Sequence, residues 1–172
     1  MSGVPYHSQW ATPEGGLAVI ERGADPCDDP RWREAGFEDE AAHRFWTWRV
    51  CGLACLQSVL AHWRRGTPNL RVLRDGALAA GAYRVRADGS GIDGLIYAPF
   101  AAWVARDFGL HVTVHPRWTL KELVAGVSER SMVIASVSPA IRDVRATPAE
   151  RGGHLVLVHG HDAQGLRLHN PS

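Results

Sequence analysis

The stretch Trp48-Arg-Val-Cys51-Gly-Leu-Ala-Cys55-Leu-Gln-Ser-Val-Leu60 decides how the rest of the chain is read. From Cys51 onward, Leu53, Leu56, Leu60 and Trp63 recur three and four apart, the spacing that sets one stripe of a helix against a core. Arg64, Arg65 and Gly66 then supply the stop: cations suit the exposed carbonyls of a last turn, and glycine accepts the left-handed cap. Cys51 falls in the first turn, where free N–H groups and the positive end of the helix dipole favour a thiolate over a thiol. The helix thus opens on a candidate nucleophile. The plainer use of a cysteine here is as a small buried hydrophobe, and Cys55, one turn on, is read that way. Cys27, in a Pro-Asp loop, is read as exposed and incidental.

Before this helix, Val4 to Trp10 reads as an extended segment with Gln9 near its end, and Pro5 argues for an edge or loop entry. Residues 12–48 carry scattered glycine and proline and an acidic patch at Glu38, Asp39 and Glu40. They are read as an irregular insertion with one short helix near Glu38 to Phe45, suited to capping a cleft or meeting a protein partner. After it, Pro68 opens a helix ending by Gly81, Ala87 to Gly94 is a loop, and Pro99 opens a third helix stopped at Gly109.

The period changes at Leu110. His111 to His115 alternates as a strand, and Thr119 with Glu122 forms a capping box for a short helix, Leu120 to Val127. Met132 to Val137 reads as a buried strand, Ile141 to Arg151 as a polar loop, and His154 to Gly160 as a strand. A turn at Gln164-Gly165 then leads into a last strand, Leu166 to Asn170. Helices first and strands afterwards predict an α+β domain, with N-terminal helices packed on a C-terminal antiparallel sheet.

With 172 residues, 45% of them hydrophobic, and a net charge of +1, the chain is long enough for one domain with its own core, and nothing in its charge calls for nucleic acid. Lys121 is the only lysine. Three cysteines make no disulfide framework, Met1 to Pro5 lacks signal-peptide regions, and no apolar run approaches the ~20 residues that span a bilayer. The expectation is a cytoplasmic protein without direct membrane insertion.

A thiol nucleophile needs a base, a group that orients the base, and donors aimed at the oxyanion. His154 follows Gly152-Gly153 and starts a strand; Asn170 ends the neighbouring one. The two are symmetric about residue 162, so hairpin pairing brings them within hydrogen-bond range, leaving the other imidazole nitrogen to face Cys51. Gln9 is the expected oxyanion donor, together with the Cys51 backbone N–H; Gln57, inside the helix, points away. His159 and His161 share a strand face and with a carboxylate would suit a metal, although no zinc-knuckle or metalloprotease motif accompanies them. Asp162 is read as a turn residue, and His43 and His62 as surface residues. Trp46 and Trp48 suit either a substrate groove or the core.

Four motifs occur in order: Val4-Pro-Tyr-His-Ser-Gln9-Trp, Cys51-Gly-Leu-Ala-Cys55, Gly153-His-Leu-Val-Leu-Val158 and His169-Asn-Pro171. Together they resemble the peptidase C39-like family of papain-fold cysteine peptidases, nearly end to end. The resemblance implies a papain-like fold, with Cys51 as nucleophile, His154 as base, Asn170 as the residue before proline that orients the base, and Gln9 as the oxyanion glutamine. It implies no cofactor. Bacteriocin-processing members cut a leader peptide after a double glycine and are usually fused to a transporter, which nothing here resembles. Three departures stand out. The gap from Gln9 to Cys51 is long, Asn170 stands where Asp is commoner, and the sequence stops two residues past Asn170, leaving continuation beyond Ser172 open.

These residues point to a cysteine hydrolase cleaving an amide bond, in a peptide or peptide-like substrate, through an acyl-enzyme. An acyltransferase or cyclase using the same Cys51 acyl-enzyme, and a peptide-binding module without turnover, remain the alternatives.

Overall fold

The computed structural model describes residues 3–143 and 145–172. Met1 and Ser2, on which the signal-peptide reading partly rests, and Val144, in the expected 141–151 loop, lie outside them. The fold is α+β, with six α-helices and one three-stranded antiparallel sheet among the described residues. The helices are α1 (Pro13–Arg22), α2 (Glu40–Thr47), α3 (Cys51–His62), α4 (Leu70–Ala79), α5 (Tyr97–Phe108) and α6 (Leu120–Gly126). The strands are β1 (Val133–Val137), β2 (His154–Asp162) and β3 (Gly165–His169), in the order β1-β2-β3. No helix of the described residues is long and apolar enough to cross a membrane.

Helix α3 is the axis of the molecule. Its periodicity predicts one buried stripe, yet every residue from Gly52 to Leu60 is buried. Small residues at Gly52, Ala54, Cys55 and Ser58 fill the faces that the leucines leave, so helices and sheet close on it from all sides. Leu53, Leu56 and Leu60 enter the core shared with α4 and α5, while Cys55 and Val59 meet Leu157 of β2. Each fully buried leucine contributes roughly 1.5–3 kcal/mol.

The 12–48 insertion is not irregular. Thr12 caps α1 by accepting from the Gly15 N–H, Pro13 opens the helix, and Gly23 closes it at φ 66°. Two 3-10 turns, Pro26–Asp28 and Trp32–Ala35, lead to α2, where Asp39 accepts from the Ala42 N–H. Gly15 and Gly16 argue against a helix by propensity, but a Cβ at Gly16 would run into the Trp10 indole, so close packing requires glycine there. His43, expected at the surface, is fully buried between Trp32 and Phe37, and burial holds its pKa below the ordinary value.

Other boundaries shift for local reasons. Asn69, not Pro68, caps α4 by accepting from the Val72 N–H at 3.0 Å. Pro99 sits in the first turn of α5, where its missing N–H costs no helical bond. The 111–115 segment forms no strand: Val114 is exposed, and the two-residue alternation there has no neighbouring strand to pair with. The capping box of α6 forms as expected, with the Thr119 N–H donating to Glu122 at 2.7 Å.

The hairpin differs in register from simple symmetry. Asp162 pairs with Gly165, so Ala163 and Gln164 make the turn, and Asp162 accepts from the Gln164 N–H at 2.9 Å. A bulge between Val158 and Gly160 then shifts β2 by one residue, giving Leu157↔His169. Continued past the strand end, that register sets residue 172, not 170, level with His154.

Candidate active site

β2 runs beyond the end of β3, and α3 covers the freed main chain. The Cys55 thiol donates to the Leu155 carbonyl at 3.7 Å, and the Leu155 backbone N–H lies near enough to the Cys51 sulfur, one turn earlier, to favour its thiolate. Cys51 and His154 thereby open onto one cavity of about 700 Å³. Trp48, Tyr83 and the loop from Arg86 to Leu95 make its other walls. The insertion folds aside, since the cavity lining begins only at Trp48. Of the two tryptophans, Trp48 is exposed at the cavity and Trp46 belongs to the core.

His154 is 1% exposed and held at both ring nitrogens. Its Nε2–H donates to Asn170 Oδ1 at 2.7 Å, which leaves Nδ1 with the lone pair. Despite the shifted register, Asn170 reaches the ring from just past β3. Ser172, level with His154, donates its hydroxyl to Asn170 Oδ1 at 3.0 Å and fixes the amide. The N-terminal segment straps this corner: the Tyr6 hydroxyl donates to the Asn170 carbonyl at 2.9 Å, and the Gln9 N–H to the Pro171 carbonyl at 2.8 Å.

Gln9 is not brought to the cavity wall. It is fully buried, and its Nε2 donates to the Thr47 carbonyl at 2.7 Å, tying the N-terminal segment to the turn that enters α3. Its Oε1 is buried without a partner among the described residues. The donors beside the sulfur are main-chain N–H groups, those of Cys51, Gly52 and Leu155. Val50, at the N-cap of α3, has no capping side chain to occupy the first turn.

Arg142 enters the site from a 3-10 turn, Pro139–Arg142, inside the stretch read as a polar loop. Its Nη2–H points to His154 Nδ1 at 3.3 Å and its Nε–H donates to Ser172 Oγ at 2.8 Å. No motif or periodicity marks this residue in the sequence. Its charge lies close enough to Cys51 to oppose the effect of burial, which pushes the thiol up from its ordinary value. Desolvation outweighs the backbone donors and Arg142 together, so the helix start alone does not bring the Cys51 pKa down. Burial, and secondarily Arg142, hold the His154 pKa below its usual value, against the pull of Asn170.

The remaining candidates lie elsewhere. Cys55 is buried, and Cys27 is partly buried with its thiol donating to the Glu40 carbonyl at 3.7 Å. The His159 ring packs against that of His169, and no group of three or more His, Cys, Asp or Glu among the described residues is placed to hold a metal ion.

No family model, curated protein or solved structure matches this chain.

Proposed function

We propose that the chain is a cysteine hydrolase of papain-like design, akin to the C39-like peptidases, that cleaves an amide bond in a peptide. The observation that carries this reading is the 2.7 Å bond from His154 Nε2 to Asn170 Oδ1, on a buried imidazole whose cavity also holds Cys51. That bond selects the tautomer with a basic Nδ1, the form a general base requires. In the proposed cycle the Cys51 sulfur attacks the carbonyl carbon while Nδ1 takes the thiol proton. Main-chain N–H groups at the start of α3 receive the oxyanion. Collapse of the tetrahedral adduct transfers the proton from His154 to the leaving amine, and water then hydrolyses the thioester. Arg142 occupies Nδ1 at rest, so its N–H must leave that nitrogen before proton transfer.

The test has two arms, thiol mapping and peptide cleavage. Limited iodoacetamide treatment across neutral to alkaline pH, followed by peptide mapping, should label Cys51 ahead of Cys27 and Cys55. The preference should fall in His154→Ala. A peptide library read by mass spectrometry should yield new termini with the wild type and none with Cys51→Ala. Labelling of Cys51 that is slower than that of Cys27 and indifferent to His154 would sink the reading.

A further inference from the structure

We propose that Arg49 and Arg86 form a carboxylate subsite in the Cys51 cavity that takes an acidic residue of the substrate; this rests on the peptide-hydrolase reading above. Both arginines line the cavity onto which Cys51 and His154 open. Gly91 marks where they converge. A Cβ built on it would stand 3.7 Å from Arg49 Nη2 and 3.8 Å from Arg86 Nη1, so both guanidinium groups face the same main-chain position. The loop is shaped to hold them there: the Arg86 N–H donates to the Gly91 carbonyl at 2.9 Å, and Val85 bridges to Ile92.

The two cations are not equally neutralised. Arg86 is exposed and pairs loosely with Asp93 at 3.4 Å. Arg49 is half-buried and has no carboxylate partner among the described residues. Its Nη1 donates to the Phe45 carbonyl at 2.5 Å and its guanidinium lies 4.0 Å over the Phe45 ring. Burial and the charge of Arg86 both work against its protonation, yet a guanidinium stays charged in a protein. A half-buried cation that faces another cation is electrostatically incomplete, and a fork with free N–H groups matches a carboxylate in shape. Arg49 and Arg86 against Asp93 leave a single positive charge, which suits one carboxylate and not a dianionic phosphate. Arg49 and Cys51 line one cavity, so the acidic group is expected within a few residues of the bond cleaved.

The experiment uses Cys51→Ala protein, so that binding is read without turnover. Calorimetric titration is run with N-acetylated hexapeptide amides in which one Glu moves through the positions, each with its Gln counterpart. At one position Glu should bind at least ~5-fold more tightly than Gln, less so in high salt. The preference should vanish when Arg49→Gln is added. Arg86→Gln, on an exposed loop, should weaken it as well and carries the test if the Arg49 variant does not fold. Equal binding of the Glu and Gln peptides, no binding by either, a preference that survives both substitutions, or phosphoserine outbinding Glu would each overturn the proposal. Failure of the hydrolase reading looks different: Glu-selective binding together with no Cys51-dependent cleavage by the wild type. Cleavage without any acidic preference sinks the subsite alone.

Discussion

The seam between α3 and β2 and the rim of the cavity are built on opposite terms. In the seam, Gly52 to Leu60 and His154 to Val158 are buried, small residues meet large ones, and the Leu155 carbonyl accepts from the Cys55 thiol. The rim, from Arg86 to Leu95, is anchored to the core by Ile92 and Leu95 and carries charge at the opening: Arg49 and Arg86 line the cavity, and Arg142 stands beside His154. A seam of this kind fixes where Cys51 and His154 stand, because packed side chains resist displacement. A rim of this kind sets charge, because its long side chains can move without disturbing the core.

The largest expected effect tests positioning within the seam. Asn170→Ala removes the acceptor that holds the His154 tautomer and that the Ser172 N–H and hydroxyl also use. Its kcat/KM should fall on the order of 10²-fold, from the loss of orientation alone. Urea unfolding should show a loss of about 1–3 kcal/mol, the cost of a buried N–H left without its acceptor. A variant that keeps full activity would show that Ser172 or the strand itself orients the ring.

Next comes the closeness of the seam. A Cβ at Gly52 would lie 2.8 Å from both Leu155 Cδ1 and Leu95 Cδ2. Overpacking costs about 1–3 kcal/mol, against a helix-propensity gain of up to about 1 kcal/mol for alanine over glycine. Gly52→Ala should therefore destabilise by up to about 2 kcal/mol in urea unfolding, and should also slow alkylation of Cys51. A stabilised variant would mean that the leucine side chains give way and the seam is looser than drawn.

The same contrast explains what could be read from the chain alone. The helix at Cys51, the strand at His154 and the approach of Asn170 follow from local periodicity and one hairpin. Even there the symmetry about residue 162 misplaced the turn: Asp162 pairs with Gly165, and the bulge after Val158 takes back only one residue of that shift, so Ser172 and not Asn170 lies level with His154. Helix α1 carried its start and stop in Thr12, Pro13 and Gly23, but two glycines masked it, and their reason, the Trp10 indole against Gly16, is a tertiary contact. The displacement of Gln9 from the cavity, the burial of His43 and the arrival of Arg142 share that origin. An arginine in a polar loop has no period, and only the folded chain sets it beside an imidazole.

The finest prediction tests whether Arg142 belongs to the chemistry or merely covers it. Its charge lowers the His154 pKa and pulls down the Cys51 thiol. Arg142→Gln keeps a side chain of similar polarity and removes the charge, so both pKa values should rise. In the proposed cycle the neutral imidazole is the base, so the acidic limb of kcat/KM should follow His154 and move to higher pH. The pH at which iodoacetamide captures Cys51 should move up as well, and an NMR titration of the His154 ring checks the first shift without any substrate. Movement of both limbs in one direction is the mark of an electrostatic role. A purely steric cover over Nδ1 predicts something else: a higher plateau of kcat/KM with the limbs unmoved, because relieving steric blockage frees the base without changing the charge or hydrogen bonding that sets its proton affinity.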